Sequence, residues 1–174
     1  MLCALIGLPG SGKTTVGRQL ARRLSLPFLD TDQVIEQRLG CSIREYFKRE
    51  GEERFRDFEE SVLEELTEKP SGVLSTGGGI VLRPRNRQHL HERCQVVYLN
   101  SSPDELFRRL RHDVKRPLLQ VADPLSRLRD LHALRDPLYR ETAHFIIETG
   151  RPSVAALVGM IMMQFELAGV LPLN

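Results

Sequence analysis

Tryptophan is absent from the 174 residues, and aromatic residues of all kinds make up only 6%. With a net charge of only +2, the chain has neither the stacking surfaces nor the basic footprint expected of a nucleic-acid-binding module. Cysteine is scarce too. Cys3, Cys41 and Cys94 are odd in number and unpaired in spacing, which excludes a disulfide framework and predicts reduced thiols in a cytoplasm. No apolar stretch is long enough to span a bilayer, and Met1 leads straight into a short apolar run without a basic region or cleavage site. Neither membrane anchor nor signal peptide is expected. The histidines show no HExxH or Cys/His spacing, so a transition metal held by protein ligands is not expected. The length suits one domain with a well-buried core.

What is present is a glycine-rich stretch, Gly7-Leu8-Pro9-Gly10-Ser11-Gly12-Lys13-Thr14-Thr15, between the apolar run Leu2 to Ile6 and a helical pattern. Strand, glycine loop and helix in that order, with Gly, four residues, then Gly-Lys-Thr, form a phosphate cradle. The glycines let successive backbone N–H groups turn inward around a polyphosphate, and the helix start adds its positive dipole end. The candidate nucleotide-binding residues are Gly10, Ser11, Gly12, Lys13, Thr14 and Thr15. Lys13 is placed to reach the terminal phosphates, and the Thr14 hydroxyl to ligate the Mg²⁺ that accompanies ATP.

Further along, Val16, Leu20 and Leu24 recur at helical spacing until Pro27, and Phe28-Leu29-Asp30 forms a short strand with Thr31-Asp32 at its end. Two carboxylates at the C-terminal end of a parallel strand stand where such sheets bind ligands; an Asp there also serves as a helix cap, and both readings stay open. Thr31 to Lys69 is helical almost throughout, broken at Gly40 and Gly51, and is longer than one crossover requires, so this part of the chain is an insert. Its charge run from Glu52 to Glu60 predicts an exposed face laced by i,i+4 pairs, to which Arg56 belongs unless it has a site role. Phe55 and Phe58 mark the apolar side.

Val73 to Thr76 is the next strand and ends in Gly77-Gly78-Gly79. Three consecutive glycines are entropically costly and indicate a backbone that something approaches closely; a ligand is the favoured partner. Val96 to Leu99 and His144 to Glu148 are the remaining strands. Between them lie a capped helix from Ser101-Ser102-Pro103, a basic loop through Arg116-Pro117-Leu118-Leu119, and two helices, one over Leu125 to Leu134 and one starting at Arg135-Asp136-Pro137. The arginines of the basic loop either cover a triphosphate or simply face solvent. Five strands with helices between them and a phosphate loop on the first predict a parallel three-layer α/β domain.

Taken together, these residues resemble the shikimate kinase family, small members of the nucleoside-monophosphate-kinase-like P-loop group, over nearly the whole length. Asp30-Thr31-Asp32, Gly51-Glu52 through Phe55-Arg56, Gly77-Gly78-Gly79, Arg116-Pro117-Leu118-Leu119, and Arg135 with Leu138-Tyr139 are similar in order and separation to that family's motifs. The resemblance implies a five-stranded sheet of order 2-3-1-4-5, a substrate-binding insert at about 31–61 and a mobile lid at about 111–124. It implies ATP and shikimate as substrates, Mg²⁺ as cofactor, a monomer, and phosphorylation at the 3-hydroxyl. Arg56 and Arg135 would hold the carboxylate, Gly78 and Gly79 the ring, and Asp32 would orient or deprotonate the attacking hydroxyl. Asp30 would position Mg²⁺ through water, Lys13 and Arg116 would stabilise the transferred group, and Arg109 and Arg151 would flank adenine.

Two other readings compete. The variable loop positions Leu8-Pro9 and Ser11 suit an adenylate or gluconate kinase equally well, although paired arginines around a triple glycine favour a compact carboxylated polyol. A nucleotide-dependent switch is opposed by the lack of an Asn-Lys-x-Asp sequence.

Overall fold

The computed structural model describes residues 1–111 and 121–172. Most of the expected lid, with Arg116, lies outside the described residues. Five parallel strands, β1 (Leu2–Ile6), β2 (Phe28–Asp30), β3 (Gly72–Ser75), β4 (Gln95–Asn100) and β5 (Phe145–Glu148), pair in the order β2-β3-β1-β4-β5. This is the expected order. β1 is central, with Leu5 beside Ser75 on one side and Val97 on the other.

Alternation along β1 creates two separate cores. Leu2, Ala4 and Ile6 pack with Leu74, Val96 and Tyr98 on one face, while Cys3 and Leu5 pack with Val73, Val97 and Leu99 on the other. All five residues of β1 are buried, as a strand covered on both faces requires. The second core is closed by α1 (Lys13–Leu24) and α8 (Val154–Leu167), which place Val16, Leu20, Leu157 and Ile161 against the sheet. The first core is closed by α4 (Glu52–Leu66), α5 (Pro84–Arg93) and α7 (Pro124–Thr142). Leu5 is fully buried, so truncation to alanine there costs about 2–5 kcal/mol. Two of the three thiols belong to this interior: burial pushes Cys3 up, and Cys94 to about 12, whereas Cys41 is only partly covered.

The insert between β2 and β3 consists of α2 (Thr31–Leu39), α3 (Ile43–Glu50) and α4, divided at Gly40 and Gly51 as the sequence indicates. The remaining helix is α6 (Pro103–Leu110), capped by Ser102, whose Oγ accepts from the Glu105 N–H at 3.1 Å. No helix among the described residues is long and apolar enough to cross a membrane.

One expectation fails. The two helices expected around Leu134 and Arg135 are a single helix, α7, with Pro137 inside it. Proline in a helix interior costs about 3 kcal/mol. The offset comes from a buried stripe, Leu128, Leu131, Tyr139 and Thr142, that keeps helical spacing across the proline and docks the whole length.

Candidate active site

The ends of β1, β2 and β3 converge on the phosphate loop. Gly10 and Gly12 take φ of 85° and 94°, conformations that side chains oppose, and α1 begins directly after them. Ser11 is 1% exposed, and its hydroxyl lies buried within the loop with no hydrogen-bond partner among the described residues. Lys13 folds over the loop and donates to the carbonyls of Gly7 at 2.6 Å and Leu8 at 3.0 Å. Thr14 Oγ1 donates to Asp30 Oδ2 at 3.1 Å and lies 3.4 Å from Ser75 Oγ.

Asp30 is a helix cap, one of the two readings left open by the sequence, and its second oxygen stays turned toward the phosphate loop. Its Oδ1 caps α2, accepting from the N–H groups of Asp32 at 3.0 Å and Gln33 at 3.4 Å, while Oδ2 faces Thr14. Threonine and serine hydroxyls beside one carboxylate are hard oxygen donors, the set that suits Mg²⁺ with phosphate and water completing its shell. Among the described residues no cluster of His, Cys, Asp and Glu is built to hold a metal unaided.

Each glycine of the Gly77-Gly78-Gly79 turn makes room for neighbouring side chains. A Cβ on Gly77 would stand 2.6 Å from Asp32 Oδ1, and one on Gly78 would meet Pro9 Cδ at 2.8 Å and Arg135 Nη1 at 3.3 Å. A Cβ on Gly79 would overlap the Arg56 guanidinium. The close approach inferred from the sequence is present, but its immediate partners are the protein's own side chains, Asp32, Pro9, Arg135 and Arg56. Tyr139, fully buried, pins the turn by donating to the Gly78 carbonyl at 2.6 Å.

Arg56 is 13% exposed in its side chain and is held from several directions. Its Nη1 donates to Glu59 Oε1 at 2.9 Å, Nε lies 3.6 Å from Glu52, and the guanidinium sits 5.1 Å from the Phe55 ring centroid and 5.9 Å from that of Phe47. Arg56 is therefore more than a member of an exposed charge run. Burial pushes the Glu59 carboxyl up from its usual range, with Arg56 opposing the shift. Burial also raises the Asp32 carboxyl; Asp30 raises it further, while Lys13 and Arg56 pull it down.

The cleft has two compartments. The larger, of about 720 Å³, follows the phosphate loop and is lined by Gly10, Gly12, Lys13, Thr14 and Thr15 with Asp30, Ser75 and Arg109. The smaller, of about 250 Å³, is lined by Arg56, Glu59, Gly79, Arg127, Leu131 and Arg135 with Phe47 and Phe55. Pro9, Asp32, Ile43, Gly77 and Gly78 border both, so one carboxylate stands at the junction.

Arg109 reaches the phosphate loop, donating to the Gly10 carbonyl at 3.2 Å and the Thr149 carbonyl at 3.4 Å, with Glu105 paired to it. Arg151 is not brought to the cleft. It stands exposed between β5 and α8 and lines neither compartment. Sequence reasoning missed Ser75, Glu59, Tyr139 and Arg127. Glu59 left a signal: it interrupts the apolar stripe Phe55, Val62, Leu63 and Leu66 with a charge, and a charge on a buried face needs a partner.

Fold and site together define a P-loop kinase for a small acceptor. The sequence model of the shikimate kinase family matches residues 9–166, and the chain belongs to that family. It is 66% identical over 171 residues to the shikimate kinase of Paracidovorax citrulli, covering 97% of this chain and 93% of that one. To the shikimate kinase of Ralstonia nicotianae it is 56% identical over 165 residues, covering 95% and 87%. Among solved structures, the shikimate kinase from Acinetobacter baumannii in complex with shikimate aligns with a TM-score of 0.90 at 44% identity, covering 99% of this chain and 95% of that one.

Proposed function

We propose that this chain transfers the γ-phosphoryl group of ATP to the 3-hydroxyl of shikimate, giving shikimate 3-phosphate and ADP. The observation that carries the reading is Asp32 at the junction of the two compartments, with Arg56 and Arg135 lining the smaller one. Arg56 and Arg135 offer forked donors to a carboxylate, and their rigidity fixes the acid end of the ring. Gly78 and Gly79 bring backbone N–H groups beside it. Asp32 accepts the proton of the attacking hydroxyl as that oxygen bonds to phosphorus and the bond to the departing ADP breaks. A carboxyl raised by burial and by Asp30 is a stronger base than an ordinary one, which suits the task.

On the donor side the loop N–H groups and Lys13 hold the phosphates in line, and positioning with charge stabilisation carries most of such a transfer. Thr14, with Asp30 acting through water, would hold Mg²⁺. When bound, the ion neutralises charge on the β- and γ-phosphates. Arg109 lies beside the nucleotide path. Arg116 keeps the role its motif implies, a cation over the transferred group, on sequence alone.

The test is ADP formation from Mg-ATP by the purified protein with shikimate, gluconate, AMP, CMP or no acceptor. Stimulation by shikimate alone is expected. Stimulation by another acceptor instead would remove the arginine clamp as written.

A further inference from the structure

The acceptor compartment holds a third cation that the roles above do not use. Arg127 lines it with Leu131 and Arg135, at positions i, i+4 and i+8 of α7, which form one stripe on the face turned toward the compartment. At 1.5 Å per residue Arg127 stands about 12 Å along the helix from Arg135. It is exposed where Arg135 is half-buried, which puts it at the mouth.

Its charge is uncompensated. Among the described residues no carboxylate comes within ion-pair distance of Arg127, whereas Arg129, two positions on, pairs with Asp104 at 3.4 Å. Counted at formal charges, Asp32 and Glu59 cancel Arg56 and Arg135, and Arg127 makes the lining of the compartment positive. A cleft with low-dielectric walls focuses such a field outward.

We propose that Arg127 is a specificity residue that captures the acidic acceptor at the mouth of the compartment and passes its carboxylate to the deeper pair. The proposal rests on the reading of Arg56 and Arg135 as the carboxylate clamp. A charge at the rim acts on encounter, and its effect depends on salt.

The experiment is steady-state kinetics of Arg127→Gln and Arg127→Lys from low to high KCl, with Arg129→Gln as a control that removes the same charge from the same helix. Arg127→Gln is expected to lower kcat/KM for shikimate about three- to tenfold at low salt, to leave the ATP KM in place, and to flatten the salt dependence. Arg127→Lys should restore most of the loss, and Arg129→Gln should match the unmodified protein. A wild-type salt slope in Arg127→Gln, or an equal loss in Arg129→Gln, overturns the proposal. Arg56→Ala and Arg135→Ala in the same assay separate the two readings. If they spare the shikimate KM the clamp fails, and if they raise it while Arg127→Gln does nothing, only the capture role fails.

Discussion

The two compartments of the cleft are built by different means. The donor side comes mainly from one contiguous stretch, Gly7 to Thr15, and its working groups are largely backbone N–H donors in a conformation fixed by glycine. The acceptor side is assembled from side chains on α2, α3, α4 and α7 around a turn after β3, and each piece depends on distant packing to arrive. A backbone cradle serves any polyphosphate, whereas side-chain geometry is where one acceptor is told from another. The two meet at Asp32, which belongs to both walls.

The largest effect should come from that junction. Asp32→Asn is expected to lower kcat by about 10²- to 10⁴-fold, the range of a lost general base, with smaller changes in either KM. It should also stabilise the fold. Asp32 has a folded-state pKa above its unfolded one, so its contribution to stability is present at low pH and is lost as pH rises through the folded value. At neutral pH the ionised group is a burden, and the asparagine variant should melt higher while working far worse. A lower melting temperature would deny that the site holds a strained charge.

Next come substitutions that separate the compartments. Arg56→Ala and Arg135→Ala should raise the shikimate KM by about 10- to 100-fold, the worth of one or two charge-assisted hydrogen bonds, and leave the ATP KM nearly unchanged. Gly79→Ala, which drives a methyl group into the Arg56 guanidinium, should reproduce the Arg56 phenotype, and Gly77→Ala should instead lower kcat through Asp32. Combining Gly79→Ala with Arg56→Ala should add little to either alone. Additive effects would mean that the glycine serves something other than the arginine.

Glu59→Ala leaves the Arg56 charge half-buried without its nearest carboxylate and should cost about 3–5 kcal/mol in urea unfolding. The smallest expected effect lies away from both compartments. The His144 ring stacks on His91, and its Nδ1 accepts from the Val96 N–H at 3.0 Å, so that nitrogen must be unprotonated. Burial and His91 push its pKa down. Its share of stability is therefore present above the unfolded value of about 6.5 and fades as pH falls through the folded one. Urea melts between pH 8 and 5 should show this slope, and His144→Phe should flatten it without changing either KM at pH 8.

The same division decides what the sequence reveals. Lys13 and Thr14 are legible because the loop is local: the residues that act together are written together. Strands are legible as apolar runs, but their order is not dictated by hydropathy; 2-3-1-4-5 came from likeness to a family. Asp30 and the triple glycine could be marked as unusual, yet only the fold shows that Asp30 both caps α2 and faces Thr14, or that Gly79 is small for the sake of Arg56. Ser75 read as an ordinary strand residue, since nothing near it in the chain says that Thr14 lies beside it. Pro137 misled for a related reason. Local propensity breaks a helix there, and the stripe from Leu128 to Thr142 that overrides it draws its energy from packing into the first core, against residues far away in the chain.

The distribution of thiols has a practical side. Cys3 and Cys94 are sealed in the interior and hard to ionise, while Cys41 stands in the link between α2 and α3, two residues before Ile43 on the wall shared by both compartments. An alkylating fluorophore offered at neutral pH should therefore mark the unmodified protein at one position, between the helices α2 and α3 that border the cleft. Ligand titrations followed by its emission would then report events in the insert with no cysteine engineered in or out.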